Sequence, residues 1–416
     1  MALQCGLLGR TLGHSYSPKI HSLLGEYEYR LYEKKPEELE AFLTKGDWDG
    51  LNVTIPYKKD VIPYCAGLSS AAQRIGSVNT LVRKPDGTIF GDNTDAYGFW
   101  YLLQGIRIPV RGKKVLILGN GGACAAVRYV LEQEGTRPVV ISRRGPDHYG
   151  NLEQHRDASL IVNTTPVGMY PEQGNSPLDL EPFPDLEAVL DIIYNPARTA
   201  LMMQAEKQGI LTANGLSMLA AQAKRSSDWF LQDRGISGSR ESEEEVIGRI
   251  VKALESEMHN LILIGMPGCG KTSVARILGE KTGKEILEMD ELFTQDYGIS
   301  PAECITSRGE PAFRRMETEL LKRYAGRSGC ILSTGGGCVT VAENYPLLHQ
   351  NGEIFWIRRD LHLLPSEGRP LSQMEGAQKL FETRRSLYER FADYTVLNSG
   401  TPEETADRIL RLREGA

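Results

Sequence analysis

Apolar residues along this chain keep two rhythms, and the change from one to the other outlines its elements. Runs that are apolar at nearly every position, at 115–118, 139–141, 160–162, 188–190 and 261–264, fit strands buried on both faces of a parallel sheet. Between them apolar residues recur at helical spacing, as in 123–135 and 217–232. This alternation predicts α/β architecture with parallel sheets. Residues 1–104 read differently, as short strands near 50–55 and 79–82 mixed with helical stretches, and so form a lobe of their own.

The acidic run Glu243–Glu245 looks at first like a solvated tail. However, Val246, Ile247, Ile250, Val251 and Leu254 follow at helical spacing, and Ser242 with Glu245 makes a capping box. The pattern predicts a packed closing helix whose acidic first turn suits the helix dipole. A linker of a few residues around 257–259 then leads to a second α/β unit that runs from 260 to the C-terminus.

Composition narrows the class. Net charge is -6 in 416 residues with no basic block, which argues against a nucleic-acid or anionic-membrane surface. No apolar run approaches the length of a membrane span, and the first residues lack the pattern of a signal peptide. The seven cysteines are scattered without a C-x-x-C pair, as expected for free thiols in a reducing cytoplasm.

Two glycine-rich turns carry chemistry. Gly265-Met-Pro-Gly268-Cys269-Gly270-Lys271-Thr272, followed by Ser273, lies between a predicted strand and helix and matches G-x-x-x-x-G-K-T. Backbone N–H groups of such a loop wrap phosphates, Lys271 neutralises the β/γ charge of ATP, and Thr272 Oγ1 can ligate Mg2+. A corner that merely happens to carry Lys-Thr would not need that strand–helix setting. The second turn, Gly119-Asn120-Gly121-Gly122-Ala123, has Cys124 where a dinucleotide fingerprint has its third glycine. Its position after a buried strand and before a helix still points to a dinucleotide. The next strand ends in Ser142, Arg143 and Arg144, which suit the 2′-phosphate of NADP rather than the free ribose of NAD.

Downstream of the first clamp stand Glu288 and Asp290, one residue apart and predicted to share a face of a strand end. Then come Arg314, the triple glycine around Gly336, Arg369 before Pro-Leu, and Arg384 in T-R-R-S-L-Y. Taken together this set resembles shikimate kinase over 260–416. The resemblance implies that Asp290 binds the ring hydroxyls, one of them the attacking group. It gives Arg314 and Arg384 the substrate carboxylate, Gly336 a close backbone approach, and Arg369 the transferring phosphoryl group from a lid. Glu288 replaces the usual first Asp, leaving it a magnesium contact through water, and the lid segment is short.

The first 255 residues resemble shikimate dehydrogenase through five motifs in order: G-H-S-Y-S-P, N-V-T-I-P-Y-K, S-V-N-T, D-N-T-D-A and N-G-L-S-M-L-A-A-Q. The resemblance implies a substrate shell of Ser15, Ser17, Thr54, Asn79, Tyr194 and Gln222 around Lys58 and Asp95. An extended backbone would point Ser15 and Ser17 the same way. Hydride reduction of a carbonyl needs a proton donor at the forming alkoxide, a role for Lys58, with Asp95 orienting it. Thr164, Ile192, Gly215 and Met218 join the glycine turn as expected NADP contacts. His14 and His21 have no place in these motifs and read as structural.

The chain is therefore expected to be an α/β fusion. A dehydrogenase unit spans 1–257, with a substrate lobe (1–104 and about 215–257) and a Rossmann NADP lobe (105–214). A P-loop kinase with a parallel sheet spans 258–416. The expected reactions are reduction of 3-dehydroshikimate by NADPH and phosphorylation of shikimate by ATP with Mg2+. The alternatives are an NAD-dependent quinate/shikimate dehydrogenase joined to another polyol kinase, which Arg143 and Arg144 disfavour, or a kinase half that binds nucleotide without turnover.

Overall fold

The computed structural model describes residues 3–13, 15–232, 241–364 and 376–414. The chain packs into two compact units. The first comprises Met1–Val167, Ser176–Tyr194 and Gln204–Leu254, and the second Gly168–Asn175, Asn195–Met203 and Glu255–Ala416.

The first unit holds two sheets. Strands β1 (Gln4–Gly9), β2 (Glu28–Glu33), β3 (Gly50–Val53), β4 (Gly67–Leu68), β5 (Thr80–Arg83) and β6 (Ile89–Asp92) form a mixed sheet in the order β2-β1-β3-β5-β6-β4. β5 is antiparallel to both β3 and β6, so the loops after β3 and β6 are brought to one region with the start of β5. Strands β7 (Lys114–Leu118), β8 (Arg137–Ile141), β9 (Leu160–Asn163), β10 (Ala188–Asp191) and β11 (Leu211–Asn214) form the parallel sheet, ordered β11-β10-β9-β7-β8. Numbered within the lobe this is 2-1-3-4-5, and its chain order reverses between β7 and β9. Ligands of open α/β sheets bind at the carboxyl ends of strands flanking such a reversal. Helices Thr94–Gly105 and Leu216–Leu231 pack against one another and carry the chain out of and back into the substrate lobe.

The second unit has one parallel sheet: β12 (Asn260–Ile264), β13 (Glu285–Glu288), β14 (Cys330–Ser333), β15 (Gly352–Arg358) and β16 (Tyr394–Leu397), in the order β13-β14-β12-β15-β16. β12 is fully buried between β14 and β15, which explains its unbroken apolar run.

Three local expectations change. The closing helix Glu243–Met258 keeps its capping box, with Ser242 N donating to Glu245 Oε2 at 2.8 Å, but it runs through 257 and 258 and leaves only His259 before β12. Ser17 opens the helix Ser17–Ser22 instead of lying on an extended strand, and its N–H donates to Ser15 Oγ at 3.2 Å. Asp290 sits in the first turn of the helix Met289–Tyr297, with β13 ending at Glu288. Among the described residues no helix is long and apolar enough to cross a membrane. All seven cysteines are free thiols.

Candidate active sites

The substrate lobe gathers its polar residues through one amide. Asn79, just before β5, donates Nδ2 to Asp95 Oδ1 at 2.9 Å, and its Oδ1 accepts from Thr94 N at 2.7 Å. Asp95 stands in the first turn of its helix, and Lys58 Nζ donates to Asp95 Oδ2 at 2.5 Å. Lys58 and Asp95 remain 24% and 15% exposed, so the pair is held but still reachable by a ligand. Behind it, Thr94 Oγ1 contacts Ser226 Oγ at 3.1 Å and Gln222 Oε1 at 3.5 Å, tying the long helix to the same cluster. Thr54 N donates to Leu8 O at 2.9 Å, which fixes the turn leading to Lys58. The rings of Tyr16 and Tyr194 meet edge to face at 6.2 Å, bringing Tyr194 to the Ser15–Ser17 segment.

His21 is buried, stacked on Tyr29 at 3.9 Å, with Nδ1 2.7 Å from Tyr27 Oη. Burial pushes its pKa down to about 3, partly opposed by a hydrogen bond that the protonated ring would donate to Asn52. It is a neutral core residue. His14 lies outside the described residues.

In the Rossmann lobe the fingerprint loop follows β7. Gly119 has φ 99°, and a side chain there would meet Thr165 Cγ2 at 2.9 Å. Thr164 Oγ1 donates to Leu118 O at 2.6 Å, closing the end of β9 onto the loop. Gly121 and Gly122 face open space at the start of the helix Gly122–Gln133, which Ala123 continues, whereas Cys124 is buried in the core. Asn120, Arg143 and Arg144 line one cavity, and Ser142 Oγ donates to Arg144 O at 2.7 Å. Gly215 backs directly onto the carbonyl of Ile192, and Met218 is buried one turn along the following helix.

The second unit contains a cavity of about 400 Å³ lined by Gly268, Gly270, Lys271, Thr272, Ser273, Glu288, Asp290, Arg314, Gly336 and Arg384. These are ten of the twelve residues expected for this half; Cys269, also of the loop, is buried, and Arg369 lies outside the described residues. Lys271 Nζ donates to Gly265 O at 2.9 Å and Met266 O at 3.2 Å, so the loop's own carbonyls hold the ammonium. Thr272 Oγ1 donates to Glu288 Oε2 at 3.3 Å. Glu288 Oε1 is buried without a hydrogen-bond partner, and burial raises the Glu288 carboxyl above its usual range, with Asp290 and Glu291 adding to the rise. Gly337 is required by close approach, since a side chain there would strike Arg314 Nη2 at 1.9 Å.

Sequence reasoning missed residues that line this cavity or hold those that do. Glu310 and Glu317 flank Arg314 at i−4 and i+3, with Arg314 Nε donating to Glu310 Oε1 at 3.1 Å and Nη1 to Glu317 Oε2 at 2.7 Å. Helical spacing of opposite charges was the available signal. Arg359 lines the same cavity. Asn398 Nδ2 donates to Cys269 O at 2.7 Å beneath the clamp, a contact between distant segments that no local pattern announces.

Comparisons with known proteins agree with this geometry. A family model for shikimate kinase matches residues 267–413, and one for the shikimate dehydrogenase substrate binding domain matches 7–81. The NADP(+) shikimate dehydrogenase of Caldanaerobacter subterraneus subsp. tengcongensis is 36% identical over 247 residues, covering 52% of this chain and 88% of the relative. A chorismate mutase/shikimate 5-dehydrogenase fusion protein from Clostridium acetobutylicum aligns in structure with a TM-score of 0.56 and 33% identity, over 61% of this chain and 98% of that one. Shikimate 5-dehydrogenase from Thermus thermophilus, crystallised with NADP(H) and shikimate, aligns with a TM-score of 0.52 and 33% identity, over 60% of this chain and 99% of that one. The chain belongs to the shikimate dehydrogenase family, continues into a shikimate kinase domain, and is a bifunctional enzyme of the shikimate pathway.

Proposed function

We propose that the dehydrogenase half reduces 3-dehydroshikimate to shikimate with NADPH, and that the kinase half phosphorylates shikimate at its 3-hydroxyl with ATP and Mg2+. The observation that carries the first reaction is the Lys58–Asp95 pair held by Asn79. NADPH supplies the hydride and ATP the phosphoryl group; the chain's own residues do the rest. Lys58 delivers a proton to the oxygen of the carbonyl being reduced, and Asp95 keeps its ammonium in place. Ser15, Ser17, Thr54, Asn79, Tyr194 and Gln222 read the carboxylate and hydroxyls. Such a polar shell discriminates sharply, because an analogue lacking a hydroxyl leaves buried groups unpaired. Arg143 and Arg144, beside Asn120, favour the 2′-phosphate of NADPH, with Gly119, Gly121, Gly122, Ala123, Thr164, Ile192, Gly215 and Met218 shaping the remaining cofactor surface.

In the kinase half, Lys271 and the N–H groups of 268–273 bind the phosphates, and Asp290 orients the attacking hydroxyl. Arg314 and Arg384 take the carboxylate, Gly336 brings backbone close to the ring, and Arg369 meets the transferring group. Mg2+ suits this donor set: Thr272 Oγ1 lies beside a carboxylate with an unpartnered buried oxygen, on Glu288. Mg2+ at such a site would be held largely by nucleotide oxygens and water. Free thiols fit a cytoplasmic setting.

A single reaction tests both halves: purified chain, 3-dehydroshikimate, NADPH, ATP and Mg2+. NADPH absorbance should fall and mass spectrometry should find shikimate 3-phosphate. Shikimate alone would sink the kinase assignment, and unchanged absorbance would sink the dehydrogenase assignment.

A further inference from the structure

The two arginines assigned to the acceptor's carboxylate, both lining the kinase cavity, already share a carboxylate of the protein. Arg314 donates Nε and Nη2 to Oε1 of Glu310 at 3.1 and 2.9 Å, and Arg384 Nη2 lies 3.9 Å from that same oxygen. One oxygen is thus shared by both guanidinium groups. The remaining edge of Arg314 is taken by Glu317, and Arg384 Nη1 donates to Gly336 O at 3.3 Å. Within the protein, two guanidinium charges are already balanced by two carboxylates.

We propose that Glu310 is a displaceable internal competitor for the acceptor's carboxylate, and that it weakens the kinase's affinity for its acceptor and narrows its preference for anionic ones. The proposal rests on the kinase reading given above. A third carboxylate cannot join the balanced group without leaving excess negative charge between two buried arginines, so one resident must yield. Burial decides which one. The Glu317 side chain is 5% exposed and lies inside the helix Glu310–Tyr324, whereas that of Glu310 is 36% exposed and occupies the first turn. Rotation about its own side-chain bonds carries Glu310 to water, where it still faces the positive end of the helix. Glu317 has no such exit. An acceptor with a carboxylate can replace Glu310 on the two arginines, while a neutral polyol must leave Glu310 in place and forgo that contact.

Competition of this kind raises the apparent dissociation constant by the inverse of the fraction with Glu310 displaced. Removing its charge should therefore tighten acceptor binding. The test is steady-state kinase kinetics on the full chain, wild type against Glu310→Gln, with shikimate and with shikimate methyl ester as probes. Turnover reads the kinase site alone, although the dehydrogenase half binds the same molecule.

The KM for shikimate should fall by roughly fivefold to tenfold, the size expected of a partly exposed charge-assisted hydrogen bond, while the KM for ATP and that for the ester hold. Glu310→Asp, which keeps the charge but loses one methylene of reach, should shift the KM in the same direction by less. A higher KM for shikimate in both variants would mean that Glu310 only props the arginines, and would overturn the proposal. So would an equal shift with the ester, which has no carboxylate to compete. Wild-type turnover of shikimate with a KM that Glu310→Gln leaves unmoved removes this inference alone. Absence of wild-type turnover removes the kinase reading and this inference with it.

Discussion

Nζ of Lys58 lies 2.5 Å from Oδ2 of Asp95, while the other oxygen of that carboxylate accepts from Asn79. The lysine is positioned from behind, leaving its remaining N–H groups for a ligand. Lys58→Ala should therefore lower the rate of carbonyl reduction by roughly 10²–10⁴, as loss of an acid–base group does. ATP-dependent phosphorylation by the same preparation should persist. Unchanged reduction would remove Lys58 from the mechanism.

Arg143 and Arg144 share a cavity with Asn120, the proposed seat of the 2′-phosphate. Arg143→Glu should lower kcat/KM for NADPH by about tenfold to a hundredfold, the range of one or two charge-assisted hydrogen bonds, and turn the preference toward NADH. Comparing the two nicotinamides under identical conditions checks this. Retained preference for NADPH would move the phosphate contact to Arg144 alone.

Thr272 and Glu288 meet at 3.3 Å below the phosphate loop. Thr272→Val and Glu288→Gln should each raise the Mg2+ concentration needed for half-maximal kinase turnover. Because burial lifts the Glu288 carboxyl above its ordinary range, it gains a proton sooner than a free glutamate as pH falls. The Mg2+ requirement of the wild type should accordingly rise on acidification, and that of Glu288→Gln should stay flat. A parallel rise in both proteins would place the titrating group elsewhere.

His21 offers a test of stability. Its folded pKa is about 3, against 6.5 for a free histidine, so the unfolded chain binds a proton that the folded chain refuses. Stability is unaffected by His21 above about pH 6.5 and is lost as pH drops from there toward 3, with a slope of up to about 1.4 kcal/mol per pH unit. Urea unfolding midpoints of His21→Phe should fall less steeply over that window than those of the wild type. Identical slopes would mean that His21 charges within the folded state.

The legible parts of this protein are local or periodic. β7 and β12 announce themselves by burial on both faces, and each feeds a glycine loop whose expected chemistry is read from its spacing together with its place between strand and helix. The capping box of Ser242 and Glu245 likewise involves residues three apart. An extended reading of Ser15 and Ser17 fails, although Pro18 at the helix start signals the turn. A strand reading of Asp290 fails because apolar–polar alternation in L-E-M-D-E-L-F fits a strand end as well as a helix start. Beyond local pattern lie the contacts of Asn79 with Asp95 and of Thr94 with Ser226, the second spanning 132 positions. Such pairings come from topology, and only the folded sheet order reveals them.

The amide of Asn79 has a consequence for how this enzyme can change. Its nitrogen orients Asp95 and its oxygen fastens the N–H of Thr94, so one side chain serves both the carboxylate that holds Lys58 and the start of the helix that bears it. A substitution at 79 disturbs both at once, and a substitution at 95 leaves half of an amide without purpose. Searching for altered ring specificity one position at a time should meet inactive variants at each step. Productive routes should change 79, 94 and 95 as a set, which makes this corner of the protein a unit of variation larger than the residue.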